Sequence, residues 1–330
     1  MKRRDGLRRM LGALALFSGA SAMTPAMAQT APAYPTRPVR LVLPYAPGGV
    51  VDFVGRVVAQ GLTDALGQSV VADNRPGAGG VVGSDFVAKA AADGYTALMM
   101  DPAIVINPSL QPNIPYDLFR DLRPVSVITS SPLVAVVAPQ RGFTSLADLV
   151  AYGKANPGKL SYASAGIGTT PHLAGELLNQ RTGIQASHIP YRGIAASYAD
   201  IMAGNVDFSF SSIAGARGLT NDGKLTPLAT TGATRNSAYP ALPTVQEGGY
   251  PGFVVDLWLA VFVPVATPEP VVARLHAGLM TLLQKPETAA SLARVGAEVR
   301  GTTPAEATAL LRREYDAWRE VITKAQITLQ

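Results

Sequence analysis

Short apolar runs of strand length recur along the chain, separated by stretches in which apolar positions follow a helical period. Such runs read as buried strands and the intervening stretches as amphipathic helices. Val39–Leu43 is the first strand, followed by a helix over Asp52–Leu66, a strand over Ser69–Ala72, a helix over Val81–Ala91 and a strand over Thr96–Met100. A turn-rich segment with Pro102, Pro108, Pro112 and Pro115 then interrupts the alternation. Leu133–Ala138 restarts it as a continuous apolar strand, and a helix over Ser145–Ala155 ends at Asn156-Pro157-Gly158. Strand Leu160–Ser164, helix Pro171–Arg181, strand Ser187–Pro190, helix Ser197–Ala203 and strands Val206–Phe210 and Leu225–Ala229 follow. Leu257–Pro264 reads as a long buried strand leading into a helical tail. Thr267-Pro268 and Thr303-Pro304 mark helix starts there, the second with Glu306 in a capping box.

This alternation predicts parallel α/β construction. Leu133–Ala138 and Leu257–Pro264 are the candidate crossovers between two lobes. Residues 37–135 with 257–330 then form the first lobe, and residues 136–256 the second.

The first 28 residues change the picture of where the protein works. Lys2, Arg3, Arg4, Arg8 and Arg9 form a basic head, Leu11–Phe17 is an apolar run, and Ala26-Met27-Ala28 is a small-x-small cleavage site. This is the pattern of a secretory signal, so the mature chain is expected in the periplasm from about Gln29. A retained membrane anchor is the alternative, but the apolar run falls short of the roughly 20 residues that span a bilayer. The leader holds five of the 28 basic residues and one of the 23 acidic ones, so the mature chain carries 23 against 22, or +1. No electrostatic footprint for nucleic acid is left, and no second apolar stretch of spanning length exists. Without cysteine there are no disulfides, thiolate chemistry or lipid-modified cysteine, and three histidines make a metal centre or other cofactor unexpected.

Three glycine turns lie between a predicted strand and a predicted helix, where open α/β sheets bind ligands. In the first, Pro44–Asp52, Tyr45 and Pro47 precede Gly48 and Gly49, which bring backbone N–H groups close to a ligand. The following helix adds its positive end, which suits a carboxylate. Asp52 either caps that helix or accepts a hydrogen bond from the ligand. In the second, Ser164–His172, Thr170 is the candidate N-cap before Pro171. Ser164 and Thr169 offer hydroxyls beside Gly166 and Gly168. His172 reads as a packing or hinge residue rather than a base, since no partner acid is identifiable. The third, Pro190–Ser197, carries Gly193, Ala195 and Ser197 to another helix start. Gly77-Ala78-Gly79-Gly80 approaches a dinucleotide fingerprint, but Asp73–Pro76 separates it from its strand and spoils the tight turn.

Taken together, these turns and several linked motifs resemble the substrate-binding proteins of the tripartite tricarboxylate transporter system, the Bordetella uptake gene (Bug) family. The motifs include Pro44–Asp52, Asn74–Gly80, Asp93-Gly94-Tyr95, Ile106-Asn107-Pro108, Ala155–Leu160, Gly166–Thr169 and His188–Gly193, and span the mature chain. The resemblance implies an α/β, two-lobed periplasmic-binding-protein fold of type II, a Venus flytrap, closing as a monomer over a small organic anion. It also implies that the turns matching Pro47–Asp52 and Ser164–Thr170 hold the ligand, that Gly193–Ser197 closes from the other side, and that a large and a small membrane subunit receive it.

Two positions depart from that pattern. Val51 stands where many relatives carry serine or threonine, and Asp101 where many carry a small hydroxyl residue. A carboxylate facing the cleft repels a carboxylate ligand by about 4 kcal/mol at roughly 4 Å and an effective dielectric near 20. It thereby favours an amino acid or an amide; an Asp101-Pro102 turn that aims the side chain at solvent is the alternative. Tyr45 and Trp258 are either cleft walls or core. The mature chain has neither a G-x-S-x-G elbow nor an H-E-x-x-H helix, which disfavours an exported hydrolase. A sensor that presents ligand to a membrane receptor would share every feature above.

Overall fold

A computed structural model describes residues 34–111 and 113–328; the leader and Pro112 lie outside the described residues. In chain order the elements are β1 (Val39–Leu43), α1 (Val50–Leu66), β2 (Val70–Asn74), α2 (Val81–Ala88), β3 (Thr96–Met100), α3 (Ala103–Leu110), α4 (Leu118–Asp121) and β4 (Leu122–Ser130). There follow β5 (Leu133–Val137), α5 (Leu146–Ala155), β6 (Leu160–Ser164), α6 (Thr170–Thr182), β7 (Ala186–Pro190), α7 (Tyr198–Ala203), β8 (Phe208–Ser212), α8 (Ile213–Asn221) and β9 (Thr226–Thr230). The chain ends with β10 (Leu259–Pro264), α9 (Glu269–Leu283), α10 (Pro286–Ala293), β11 (Glu298–Val299) and α11 (Pro304–Lys324).

Two sheets form among the described residues. One has the order β2-β1-β3-β10-β4-β11 and the other β7-β6-β8-β5-β9. β1 pairs in parallel with β2 and β3, and β6 with β7 and β8. The purely parallel expectation is corrected at β10, which runs antiparallel between β3 and β4, and at β5, antiparallel to β8 and β9. These strands enter their sheets from the other sheet rather than through a βαβ crossover, so the right-handed parallel rule does not govern them.

Helices cover both faces. In α1, Val51, Val54, Val58, Leu62 and Leu66 are buried at helical spacing and pack with Leu275, Leu279 and Leu282 of α9. Gly67 at φ 71° ends the helix, donating its N–H to the Thr63 carbonyl. The Thr303 capping box is formed: Thr303 Oγ1 accepts from the Glu306 N–H, and Glu306 accepts from the Thr303 N–H. At Thr267-Pro268 the helix begins one residue later than its signal, with Pro268 in the N-cap position.

Leu133–Ala138 is not itself the crossover: most of it is β5, inside the second sheet between β8 and β9. The chain crosses just before it, at Ser131-Pro132, and again ahead of β10. There the Leu257 N–H donates to the Ser131 carbonyl, and Pro132 bridges Asp256. Asp256 is buried and accepts from the Ser131 N–H at 2.5 Å, the Ser130 hydroxyl at 2.6 Å and Arg300 Nη1 at 3.3 Å. α11 lies over this junction, touching α3 and β4 of the first sheet layer and α6 of the second. Trp258, fully buried, donates its indole N–H to Glu314 Oε2 of α11 at 2.8 Å. Trp258 is therefore core rather than cleft wall.

Burial raises the Glu314 carboxyl from its ordinary 4.5 to about 7, against the opposing hydrogen bond from Trp258. Between those values the folded chain holds a proton that the unfolded chain has released, so stability falls as pH rises through this window. Glu314→Gln keeps an acceptor for Trp258 and removes the titration. Urea unfolding at pH 5 and pH 8 should therefore show the variant gaining on the natural chain by about 3 kcal/mol at the higher pH. An unchanged difference between the two pH values would contradict this assignment.

Candidate functional site

Four strands, two from each sheet, end on one cavity of about 1000 Å³. Tyr45 follows β1, Asp101 follows β3, Ala165 follows β6 and Ser212 ends β8; all four line it. Around them lie Ala78 and Gly79, the α3 face with Ile106, Asn107, Leu110 and Gln111, the Ile167–Pro171 turn, Ile194 and Leu257. This is the crevice beyond the carboxyl ends of strands in which α/β sheets bind ligands.

The turn after β6 supplies the donors. Gly166 at φ 131° and Gly168 at φ 76° bend the backbone as only glycine does without strain. The N-cap of α6 is Thr169, one residue before the expected Thr170, and its hydroxyl donates to the Gly166 carbonyl at 2.7 Å. The N–H groups of Ile167 and Thr170 donate to no acceptor among the described residues. They join the positive end of a 13-residue helix at the cavity wall.

Side chains beneath hold this turn in place. Ser164 is fully buried; its hydroxyl accepts from the Gly166 N–H at 3.0 Å and hydrogen-bonds His188 Nε2 at 2.6 Å. The Gly168 N–H donates to His172 Nδ1 at 3.0 Å, which puts the ring proton on Nε2. The two imidazoles stack with centroids 3.8 Å apart, and the Tyr162 ring stacks on His188 at 5.1 Å. His172 is thus a packing residue.

The first turn is held differently. Asp52 is buried and accepts from the Gly48 N–H at 3.0 Å, from Arg56 at 2.9 Å and from Asn74 at 3.0 Å. Arg56 and the Gly48 N–H hold its carboxyl down at about 2. Asp52 therefore fixes the turn, while Gly49 is the N-cap of α1. Pro47, Gly48 and Gly49 are exposed and stand outside the cavity lining.

Of the residues nominated from sequence, Tyr45, Asp101, Gly168, Thr169 and Thr170 meet at the cavity. Gly166 shapes the turn behind them. In the third turn Gly193 donates its N–H to the Ala165 carbonyl, Ala195 is exposed and Ser197 is buried against the Ile194 carbonyl; Ile194 alone reaches the cavity. Sequence reasoning missed α3 as a wall. It also set aside Gly77–Gly80, which forms a cavity edge held by Asn107 Nδ2 donating to the Gly79 carbonyl at 2.9 Å. The Ile106-Asn107-Pro108 motif was the available signal.

Asp101 does not face bulk solvent, which corrects the alternative of a turn aimed outward. Its Oδ1 accepts from the Tyr45 hydroxyl at 2.9 Å and the Ala103 N–H at 3.0 Å, so it starts α3 and faces the cavity at once. Burial raises its carboxyl above the ordinary range, and burial with Asp101 beside it keeps the Tyr45 hydroxyl protonated as a donor.

Two α/β layers joined by paired crossing segments, with a cavity walled from both, define a two-lobed fold of the periplasmic-binding-protein type. The chain belongs to the tripartite tricarboxylate transporter family receptors, whose family model matches residues 54–327. Protein BugT of Bordetella pertussis is 36% identical over 327 residues, covering 98% of this chain and 99% of that one. The solved structure of R. palustris Rpa4515 with adipate is 34% identical, covers 90% of this chain and 100% of its own, and superposes with a TM-score of 0.74. The structure of the periplasmic binding protein BugD is 33% identical with the same coverage and a TM-score of 0.71. No helix among the described residues is long and apolar enough to cross a membrane.

The imidazole stack makes a direct prediction. Burial lowers His172 to about 3, helped by the neighbouring His188, and lowers His188 to about 4. The unfolded chain therefore takes up protons on these rings first, and stability falls as pH drops from the ordinary 6.5, until His188 at about 4 and His172 at about 3 are protonated in the fold as well. In an NMR titration from pH 8 to pH 5 neither ring should shift. A midpoint near 6.5 for either would sink the neutral stack.

Proposed function

We propose that the chain is exported by its leader, cut near Ala28, and captures a small organic acid between its two sheets. It then delivers that acid to the large and small membrane subunits of a tripartite tricarboxylate-type transporter. One observation carries the reading: the start of α6 opens on the cavity with unused Ile167 and Thr170 N–H groups, and no lysine or arginine among the described residues lines the space. A carboxylate satisfies such donors and gains from the positive helix end. The related R. palustris protein, solved with adipate, supports carboxylic acids as the solute class.

On this reading the first sheet, with the chain up to the Ser131-Pro132 crossing and from Leu257 onward, and the second, with the chain between, act as lobes of a monomer; the sequence boundary at 135/136 would have cut β5 in two. A solute that touches walls from both favours conformations in which both reach it. Its binding energy thus becomes the signal that the membrane subunits read.

Thermal-shift titration against short mono- and dicarboxylates, adipate included, tests the binding role. A ligand at 100 times its dissociation constant adds about 2.7 kcal/mol to stability. Gly168→Val places a β-branched side chain at φ 76° in the donor turn and should weaken a binding acid by about tenfold or more, with the circular dichroism unchanged. If no carboxylic acid shifts the melting temperature, capture of organic acids is wrong.

A further inference from the structure

The cavity holds a single charged side chain among its described lining residues, and it has the sign of the proposed ligand. No lysine, arginine or histidine among them lines the space; Asp101 does. Its Oδ1 is occupied by the Tyr45 hydroxyl and the Ala103 N–H. Its Oδ2 accepts from no other residue among the described ones, and Asp101 lines the cavity. Tyr45 and Ala103 hold the carboxylate in one orientation at a wall that mixes apolar Ile106, Leu110 and Leu257 with the neutral amides of Asn107, Gln111 and Asn113. A half-buried carboxylate oxygen is met best by a charged donor, since a neutral amide leaves its charge unpaired.

Resting on the capture of an acid at the start of α6, we propose that the solute is a zwitterion, an amino carboxylate. Its carboxylate meets the Ile167 and Thr170 N–H groups and its ammonium meets Asp101 Oδ2. The two recognition elements come from different sheets: Asp101 follows β3 of the first, and the α6 turn follows β6 of the second. A zwitterion is the simplest ligand that satisfies both ends without leaving either charge unpaired. A dicarboxylate of similar length would set its second carboxylate against Asp101. The competing arrangement keeps Asp101 protonated, donating to that second carboxylate, and burial of Asp101 assists it. The two arrangements differ in what removal of the charge does.

Calorimetric titration of the natural chain and of Asp101→Asn separates them, using glutamate, 4-aminobutanoate and 6-aminohexanoate against succinate and adipate. Asp101→Ser serves as the second variant, and each variant is first shown by circular dichroism to be folded. The natural chain should bind at least one amino carboxylate about tenfold or more tighter than the matched dicarboxylate. Both variants should lose that ligand by about tenfold to a hundredfold and gain in dicarboxylate affinity. A loss of fold would not invert this ranking, whereas removal of a charge partner does. Preference of the natural chain for a dicarboxylate, or a ranking unchanged in the folded variants, overturns the role of Asp101 and leaves acid capture standing. Failure of every carboxylate-bearing probe to bind the natural chain overturns both.

Discussion

The buried carboxylate of Asp256 fixes where the chain passes between its two sheets, and the cleft depends on that place. A carboxylate removed from water without partners is strongly unfavourable. Here it meets the Ser130 hydroxyl and Ser131 N–H from one passage and the Arg300 guanidinium from the segment after β11. Asp256 itself belongs to the other passage, so the two run side by side and bond to each other through Leu257 and Ser131. α11 packs across this junction, and its Glu314 receives the Trp258 indole N–H from the start of the second passage. With the sheets joined there, the strand ends of both are free to wall one cavity.

The site divides the work between backbone and side chains. Asp52 and Ser164, chemically the most obvious ligand partners in their turns, are buried and hold those turns closed. Among the groups left unused are the main-chain N–H groups of Ile167 and Thr170 at the start of α6. Such donors do not titrate, and their orientation is set before a ligand arrives, which lowers the ordering cost of binding. The neutral histidine stack serves the same end. A protonated His172 could not accept from the Gly168 N–H, so the geometry of the donor turn requires the uncharged ring.

Hydrophobic periodicity located β1, β3, β6 and most of the helices that follow them, because apolar residues dominate each run despite polar breaks such as Arg40 in β1 and Ser161 in β6. β4 escaped it: Arg123, Pro124 and Ser126 break the run in Leu122–Ser130, although its core residues are buried by β10 on one side. α3 escaped it too, with Pro102 before it and Pro108 inside, and with Ile104, Val105 and Ile106 buried in succession so that no amphipathic stripe exists. The glycine turns were legible because positive φ is written in residue type. The direction in which Asp52, Ser164 or Asp101 points was not, since it follows from register and neighbouring turns rather than from local sequence. The leader, which carries the expectation of export, lies outside the described residues.

On the proposed reading, affinity and selectivity arise at different walls of one cavity. On that reading the N–H groups of Ile167 and Thr170 offer every carboxylate the same partners, so they do not tell one acid from another. Apolar contacts with Ile106, Leu110, Ile194 and Leu257 discriminate by shape, and a methylene in such a pocket is worth only about 1–3 kcal/mol. A fixed charge discriminates more strongly, because the wrong ligand leaves it facing a like charge or no partner at all. Among the described residues of this cleft, the side chain able to impose that penalty is Asp101, held in one orientation by Tyr45 and the first turn of α3. If the proposed reading holds, substitution at this one position changes which acid is chosen while the proposed donors stay the same.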